Sequence, residues 1–163
     1  MATLIQQIIN GLSLGSVYAL IAVGYSLVYS ILLFSNFAHG GFLVIGGYFC
    51  YGSLRLLGAG IWTAGALALI GAGFAAVLTE RLAYRPIRER TNVTLYLLIA
   101  SMGMNIVIEN IFVIIVGGRF RALPPVIPTT PVSVMGLATT SAFDLISLLS
   151  AVVFLGALQL FLS

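Results

Sequence analysis

A few polar side chains interrupt otherwise apolar stretches of this sequence and could hydrogen-bond a solute or line a polar path: Asn36, His39, Glu109 and Asn110. The first two lie in the hexapeptide Asn-Phe-Ala-His-Gly-Gly, residues 36–41, which holds the only histidine. The first 54 residues contain no Asp, Glu, Lys or Arg. Polar groups at membrane depth are tolerated only where protein or water satisfies them. The pattern therefore indicates a membrane protein, and a transporter if the hexapeptide faces a pathway.

The hexapeptide has two interpretations. In the first, Asn36, His39 and Gly40 line a translocation pathway, or a helix break beside one. In the second, Asn36 and His39 cap helices, and Gly40 and Gly41 allow a tight turn at the membrane surface. The residues favour neither interpretation over the other.

Glu109 and Asn110 lie in a later apolar stretch, residues 93–116. A carboxylate in such a stretch faces the bundle interior or a cavity by default, which makes both residues pathway candidates. The alternative is that Glu109 is shallow enough in the membrane for ordinary solvation. The two alternatives carry equal weight.

The sequence offers little to catalysis. A phosphate-binding P-loop needs a Lys, and the chain has none. One Cys and one His cannot build a structural zinc site, and no Ser/His/Asp set has enough members. We expect no enzyme activity, no catalytic residue, no metal and no cofactor.

Composition places most of the chain in lipid. Apolar residues make up 61% and charged residues 7% of the sequence, and the mean hydropathy is +1.17. A soluble domain needs roughly a quarter of its residues charged. At about 20 residues per crossing, we expect one all-α membrane domain, residues 1–163, with about five transmembrane helices and a broken helix near residues 36–41. The predicted crossings are residues 4–33, 42–57, 61–82, 93–116 and 143–163.

Small residues at helical spacing predict helix packing. Gly11 and Gly15 share one face of the first crossing, and a stripe of alanines recurs every four residues in the third: Ala64, Ala68, Ala72 and Ala76. Small side chains let helix backbones approach closely in membranes. We expect the third helix to be interior.

Charge is concentrated in residues 80–90, which hold four of the seven arginines: Arg81, Arg85, Arg88 and Arg90. Arginines grouped between apolar stretches fit the positive-inside rule better than nucleic-acid binding, so we expect a cytoplasmic loop here. The loop either orients the protein or contacts a cytoplasmic partner. Counting from it places the N-terminus outside, or inside if residues 36–41 form a mid-membrane break.

Prolines and turn residues mark the region before the last helix. Residues 123–131 hold four of the five prolines and predict an extended external loop. Residues 132–138 predict a short strand or one arm of a hairpin. Asp144 is expected in the first turn of the final helix.

Three blocks of the sequence resemble the branched-chain amino acid ABC transporter permeases, in their order and spacing. They are residues 11–22 (GLSLGSVYALIA) with Gly24 and Tyr25, residues 36–40 (NFAHG) and residues 80–88 (ERLAYRPIR). The chain is most similar to the N-terminal portion of the smaller, "H"-type permease subunit.

This resemblance implies a multi-pass protein of the bacterial inner membrane. Its partners would be a homologous permease subunit, two cytoplasmic ATPase subunits and a periplasmic substrate-binding protein. The cargo would be Leu, Ile and Val, or urea and short amides as in related permeases. ATP hydrolysis by the partners would drive import. In the family, the loop that engages the ATPases lies in the second half, so a truncated, non-transporting membrane subunit is the alternative.

Overall fold

The structure is a computed structural model that describes residues 2–118, 122–123, 131–134 and 138–162. The chain forms two compact units. The first contains residues 28–124, and the second contains residues 1–27 together with residues 125–163.

The described residues form five long helices and a short sixth, and the composition predicted this helical architecture. The long helices are α1 (Ala2–Leu32), α2 (His39–Leu56), α3 (Ile61–Thr79), α5 (Thr94–Val116) and α6 (Ala142–Leu162), and the short one is α4 (Arg85–Arg90). Among described residues, three helical segments are long and apolar enough to cross a membrane: Thr3–Leu32, Ile61–Arg90 and Thr94–Val116. The apolar part of α6, Asp144–Leu160, is shorter. The other long helix, α2, carries His39 and Arg55 at its ends.

A helix break, residues 33–38, separates α1 from α2. Leu33 has φ 59°, in the left-handed region. A residue in this region cannot continue a right-handed helix, so α1 ends here. The conformation costs a non-glycine residue roughly 1–2 kcal/mol. The Leu33 N–H still donates a hydrogen bond to the Tyr29 carbonyl, at 2.8 Å. The break that the sequence predicted near residues 36–41 thus contains Asn36, while His39 and Gly40 already belong to α2.

The charged segment is helical, and the prediction of a loop was wrong. A π-helical turn, Glu80–Tyr84, continues directly from α3 and leads into α4. The Arg85 N–H donates to the Glu80 carbonyl five residues earlier. Proline in an α-helix lacks its N–H and clashes with the carbonyl four residues before it. The wider turn ahead of Pro86 relieves that clash, and Pro86 then occupies the first turn of α4.

The most extensive helix contact joins α2 to α3. A Cβ added at Gly71 would lie 2.6 Å from the Phe49 ring, so the ring covers the glycine face of α3. A Cβ at Gly46 would lie 3.7 Å from the Ala72 Cβ and the Ala68 carbonyl. The alanine stripe thus faces α2 at these positions, and Ala64 is fully buried.

The second unit contains a two-stranded antiparallel hairpin, β1 (Pro131–Val134) and β2 (Ala138–Ser141), in which Val134 pairs with Ala138. The hairpin covers more than the single arm expected for residues 132–138. Asp144 is in the first turn of α6, as predicted, and its Oδ1 accepts a hydrogen bond from Ser13 Oγ at 3.0 Å. Most of the proline-rich segment, residues 123–131, lies outside the described residues.

Candidate functional site

Asn36 is the centre of the helix break. Its side chain is buried, with 4% of its surface exposed. The Oδ1 atom accepts two hydrogen bonds, from the Ala38 N–H at 3.1 Å and from the Tyr84 hydroxyl at 2.7 Å. The first bond closes a local turn of the kind that Asn side chains favour. The second, which we call the Asn36–Tyr84 contact, ties the helix break to the π-helical turn.

Aromatic packing surrounds this contact. The rings of Phe34 and Tyr84 meet edge to face, with centroids 5.4 Å apart and planes at 87°. Both side chains have 2% of their surface exposed and form the buried core of this unit with Leu97 of α5. Edge-to-face pairs are a favourable aromatic geometry. The helix break is therefore held by packing as well as by hydrogen bonds.

Ser101 of α5 holds the break from the other side. Its side chain is fully buried, and its Oγ accepts a hydrogen bond from the Phe37 N–H at 3.1 Å. The hydroxyl proton goes to the Leu98 carbonyl at 2.7 Å, in preference to the Ser35 carbonyl at 3.4 Å. Sequence analysis missed Ser101, because a serine inside an apolar helix has no distinguishing pattern. Tyr84 lies in one of the three blocks quoted above, but its partner is visible only in three dimensions.

The first turn of α2 lies close to α5. A Cβ added at Gly41 would lie 3.0 Å from Asn105 Oδ1 and 3.1 Å from Ile108 Cδ1, while one at Gly40 would be 3.8 Å from the same Asn105 oxygen. Only glycine fits without displacement at Gly41. Asn105 Oδ1 is buried and has no hydrogen-bond partner among the described residues.

Asn105 also connects this turn to Glu109, because its Nδ2 donates to Glu109 Oε1 at 2.7 Å. Glu109 itself is exposed. Asn110 is exposed too, and its Nδ2 donates to the Ile106 carbonyl at 2.7 Å. The structure therefore brings Gly40 and Glu109 together through Asn105, while no described hydrogen bond joins Asn110 to them.

His39 is half-buried and lines an open groove of about 400 Å³, which we call the α1–α3 groove. Apolar side chains form most of its wall, among them Val28, Ile31, Leu32 and Val77. Asn36 and Tyr84 reach the same groove, and so do Glu80 and Arg81. The helix break is thus one wall of a mainly apolar cavity with charged groups at one end.

Two of the arginines in residues 80–90 form ion pairs with acidic side chains of the same segment. Arg88 contacts Glu80 at 2.8 Å and Arg85 contacts Glu89 at 2.8 Å. Both pairs are largely exposed to solvent, which screens them, so they contribute little to stability. Among the described residues, no group of three or more His, Cys, Asp and Glu side chains could hold a metal ion.

Three helical segments of spanning length and apolar composition among the described residues indicate an integral membrane protein. Residues 7–162 match the family model described as the branched-chain amino acid transport system / permease component. The chain belongs to this family.

Its relatives carry the same designation. The chain is 41% identical over 128 residues to the high-affinity branched-chain amino acid transport system permease protein LivH of Salmonella typhimurium. It is 40% identical over 133 residues to LivH of Escherichia coli, and 36% identical over 132 residues to the corresponding permease protein BraD of Pseudomonas aeruginosa. These matches cover 74–76% of this chain but only 41–42% of each relative. No solved structure matches the chain.

Proposed function

We propose that this chain forms part of the translocation pathway of a permease subunit in an ATP-driven importer of Leu, Ile and Val. The observation that carries the proposal is the family match across residues 7–162, together with relatives that are named as branched-chain amino acid permeases. The fold adds support, because it offers apolar helices of spanning length and a specifically held break.

The remaining parts of such an importer would be separate proteins of the bacterial inner membrane and periplasm. A homologous permease would complete the pathway, two ATPase subunits would supply ATP hydrolysis from the cytoplasm, and a periplasmic protein would deliver the cargo. This chain would then act through conformational change, because the substrate crosses the membrane without any covalent step. ATP would act by changing the relative stability of outward-open and inward-open arrangements.

Helix length supports a surface position for the helix break. Trp62, which is 89% exposed, is a suitable interface anchor at the start of α3. Tyr84 follows it by 22 residues, or about 33 Å of helix at 1.5 Å per residue. This rise exceeds the hydrocarbon thickness of about 30 Å. Because Asn36 contacts Tyr84, this length favours a break near the membrane surface, on the side of the arginines, which is the cytoplasmic side if the positive-inside rule holds here.

The contacts support different roles for two of the candidate residues. Asn36 is a positioning residue, because both acceptor sites of its Oδ1 are used within the protein. Glu109 is the better candidate for contact with the pathway, since its carboxylate is exposed and accepts only one described hydrogen bond, from Asn105.

Uptake in cells tests this function. A strain lacking branched-chain amino acid importers would express the chain with the permease, ATPase and binding-protein genes encoded beside it. We expect labelled leucine to accumulate only when this chain is present. Uptake of labelled urea in place of leucine would reassign the cargo. Equal leucine uptake with and without the chain would overturn the transport role.

A further inference from the structure

We propose that the α1–α3 groove is a binding site for one anionic phospholipid, with an acyl chain along the apolar wall and the phosphate at Arg81. Nothing in the family match assigns a lipid to this chain, and the proposal does not depend on the identity of the cargo. It depends on the depth of the groove in the membrane, on its lining and on the charge at its end.

The lining suits an acyl chain. The groove has a volume of about 400 Å³, within the range of roughly 300–1,000 Å³ for small-molecule sites. It is partly open rather than enclosed, and two of its apolar wall residues are well exposed, Ile31 by 77% and Val77 by 53%. An acyl chain can therefore enter sideways from the bilayer without crossing a polar barrier.

The end of the groove suits a phosphate. Residues 80–90 contain four arginines but only two acidic residues. Both carboxylates are already paired, Glu80 with Arg88 and Glu89 with Arg85. Arg81 lines the groove and has no ion-pair partner among the described residues. A guanidinium offers a planar set of donors that matches phosphate oxygens in a bidentate arrangement. Arg81 therefore has no paired negative charge among the described residues, and an anionic headgroup would supply one.

The depth of Arg81 agrees with this pairing. It follows Trp62 by 19 residues, so the two lie about 28 Å apart along the helix. The hydrocarbon core is about 30 Å thick. With Trp62 at one interface, the Arg81 guanidinium reaches the headgroup level of the opposite leaflet, while the groove wall formed by Val77 and Val28 lies within the hydrocarbon.

A transmembrane helix from another subunit is the competing occupant. It would fill the same apolar wall, but it would need a carboxylate at the level of Arg81 to complement the charge. The phospholipid meets both requirements in one molecule and is abundant on that side of the membrane, where anionic lipids attract basic segments. The test below separates the two.

Native mass spectrometry of the purified chain, titrated with phosphatidylglycerol and with phosphatidylcholine of identical acyl chains, tests the site. We expect one phosphatidylglycerol molecule to bind saturably and about tenfold more tightly than phosphatidylcholine, because both lipids carry a phosphate but only phosphatidylglycerol has a net negative charge to complement Arg81. R81Q should remove this preference. R90Q is the matched control, because Arg90 is exposed on the same segment but does not line this groove, and it should bind like the wild type.

A second variant tests the acyl chain's place. Ala76 lines the groove, and A76F should fill it and weaken both lipids about equally, while circular dichroism shows an unchanged helix content. Glycerol phosphate, which has the headgroup chemistry without the chain, should not compete. Equal affinity for the two lipids, or equal behaviour of R81Q and R90Q, would overturn the proposal. Crosslinking of a cysteine at Val77 to a neighbouring permease helix in the assembled importer would assign the groove to that helix instead.

Discussion

Removing one hydroxyl group tests the contact that holds the helix break. The substitution Y84F deletes the donor of the 2.7 Å hydrogen bond to Asn36 Oδ1 but keeps the ring that packs edge to face on Phe34. No cavity is created, and Asn36 Oδ1 still accepts the Ala38 N–H. The loss should therefore be that of one ordinary hydrogen bond, about 1 kcal/mol of unfolding free energy.

The reciprocal substitution should cost more. N36A removes the acceptor and leaves two buried donors without a partner, the Tyr84 hydroxyl and the Ala38 N–H. Each unsatisfied donor costs about 1–3 kcal/mol, so we expect a total of about 2–6 kcal/mol. In the double variant, Y84F should recover part of the N36A loss, because it removes the Tyr84 hydroxyl that N36A leaves without an acceptor. The double-mutant cycle should thus give a coupling energy of about 1 kcal/mol or more.

Reversible unfolding in detergent micelles, followed by circular dichroism, is the assay. Y96F is the matched control, because Tyr96 of α5 is 53% exposed and its substitution should change stability by less than about 0.5 kcal/mol. The reasoning is refuted if Y84F and N36A act additively, or if Y84F is no more destabilising than Y96F.

Two further substitutions test the contacts of the break and of α2 with α5. G41A places a Cβ 3.0 Å from Asn105 Oδ1 and should destabilise by about 1–3 kcal/mol in the same unfolding assay. G47A in the same helix meets nothing within 4 Å and should be neutral or stabilising by up to about 1 kcal/mol, so similar destabilisation of both would contradict the packing. S101A leaves the Phe37 N–H without its acceptor and should cost about 1–3 kcal/mol, whereas S101T should recover part of that loss, and a neutral S101A would refute the hydrogen bond's role.

Composition and spacing predicted the helical architecture because lipid leaves a chain few alternatives. A chain with 7% charged residues must satisfy its backbone internally, so each long apolar stretch became a helix. The break near Asn36 was also predictable, since polar and glycine residues interrupt an apolar stretch there. The helical continuation through Pro86 was not, because a widened turn depends on packing around Tyr84 rather than on local preference.

The site was only half predictable for a related reason. Asn36, His39 and Glu109 stand out because polar residues are rare in their surroundings. Their hydrogen-bond partners do not stand out in the sequence. Ser101 is one serine among many, and Tyr84 lies 48 residues from Asn36 along the chain. Sequence spacing identifies which groups need partners, whereas the tertiary fold decides which groups supply them.

The most direct test of the transport role is ATP hydrolysis by a reconstituted importer. This chain would be copurified with the permease and ATPase subunits encoded beside it, placed in liposomes, and supplied with the substrate-binding protein. The account predicts a stable assembly whose ATP hydrolysis rises several-fold with leucine-loaded binding protein and falls to the basal rate when this chain is omitted. A chain that inserts into the membrane but recruits no ATPase, or hydrolysis that is indifferent to its presence, would contradict the account.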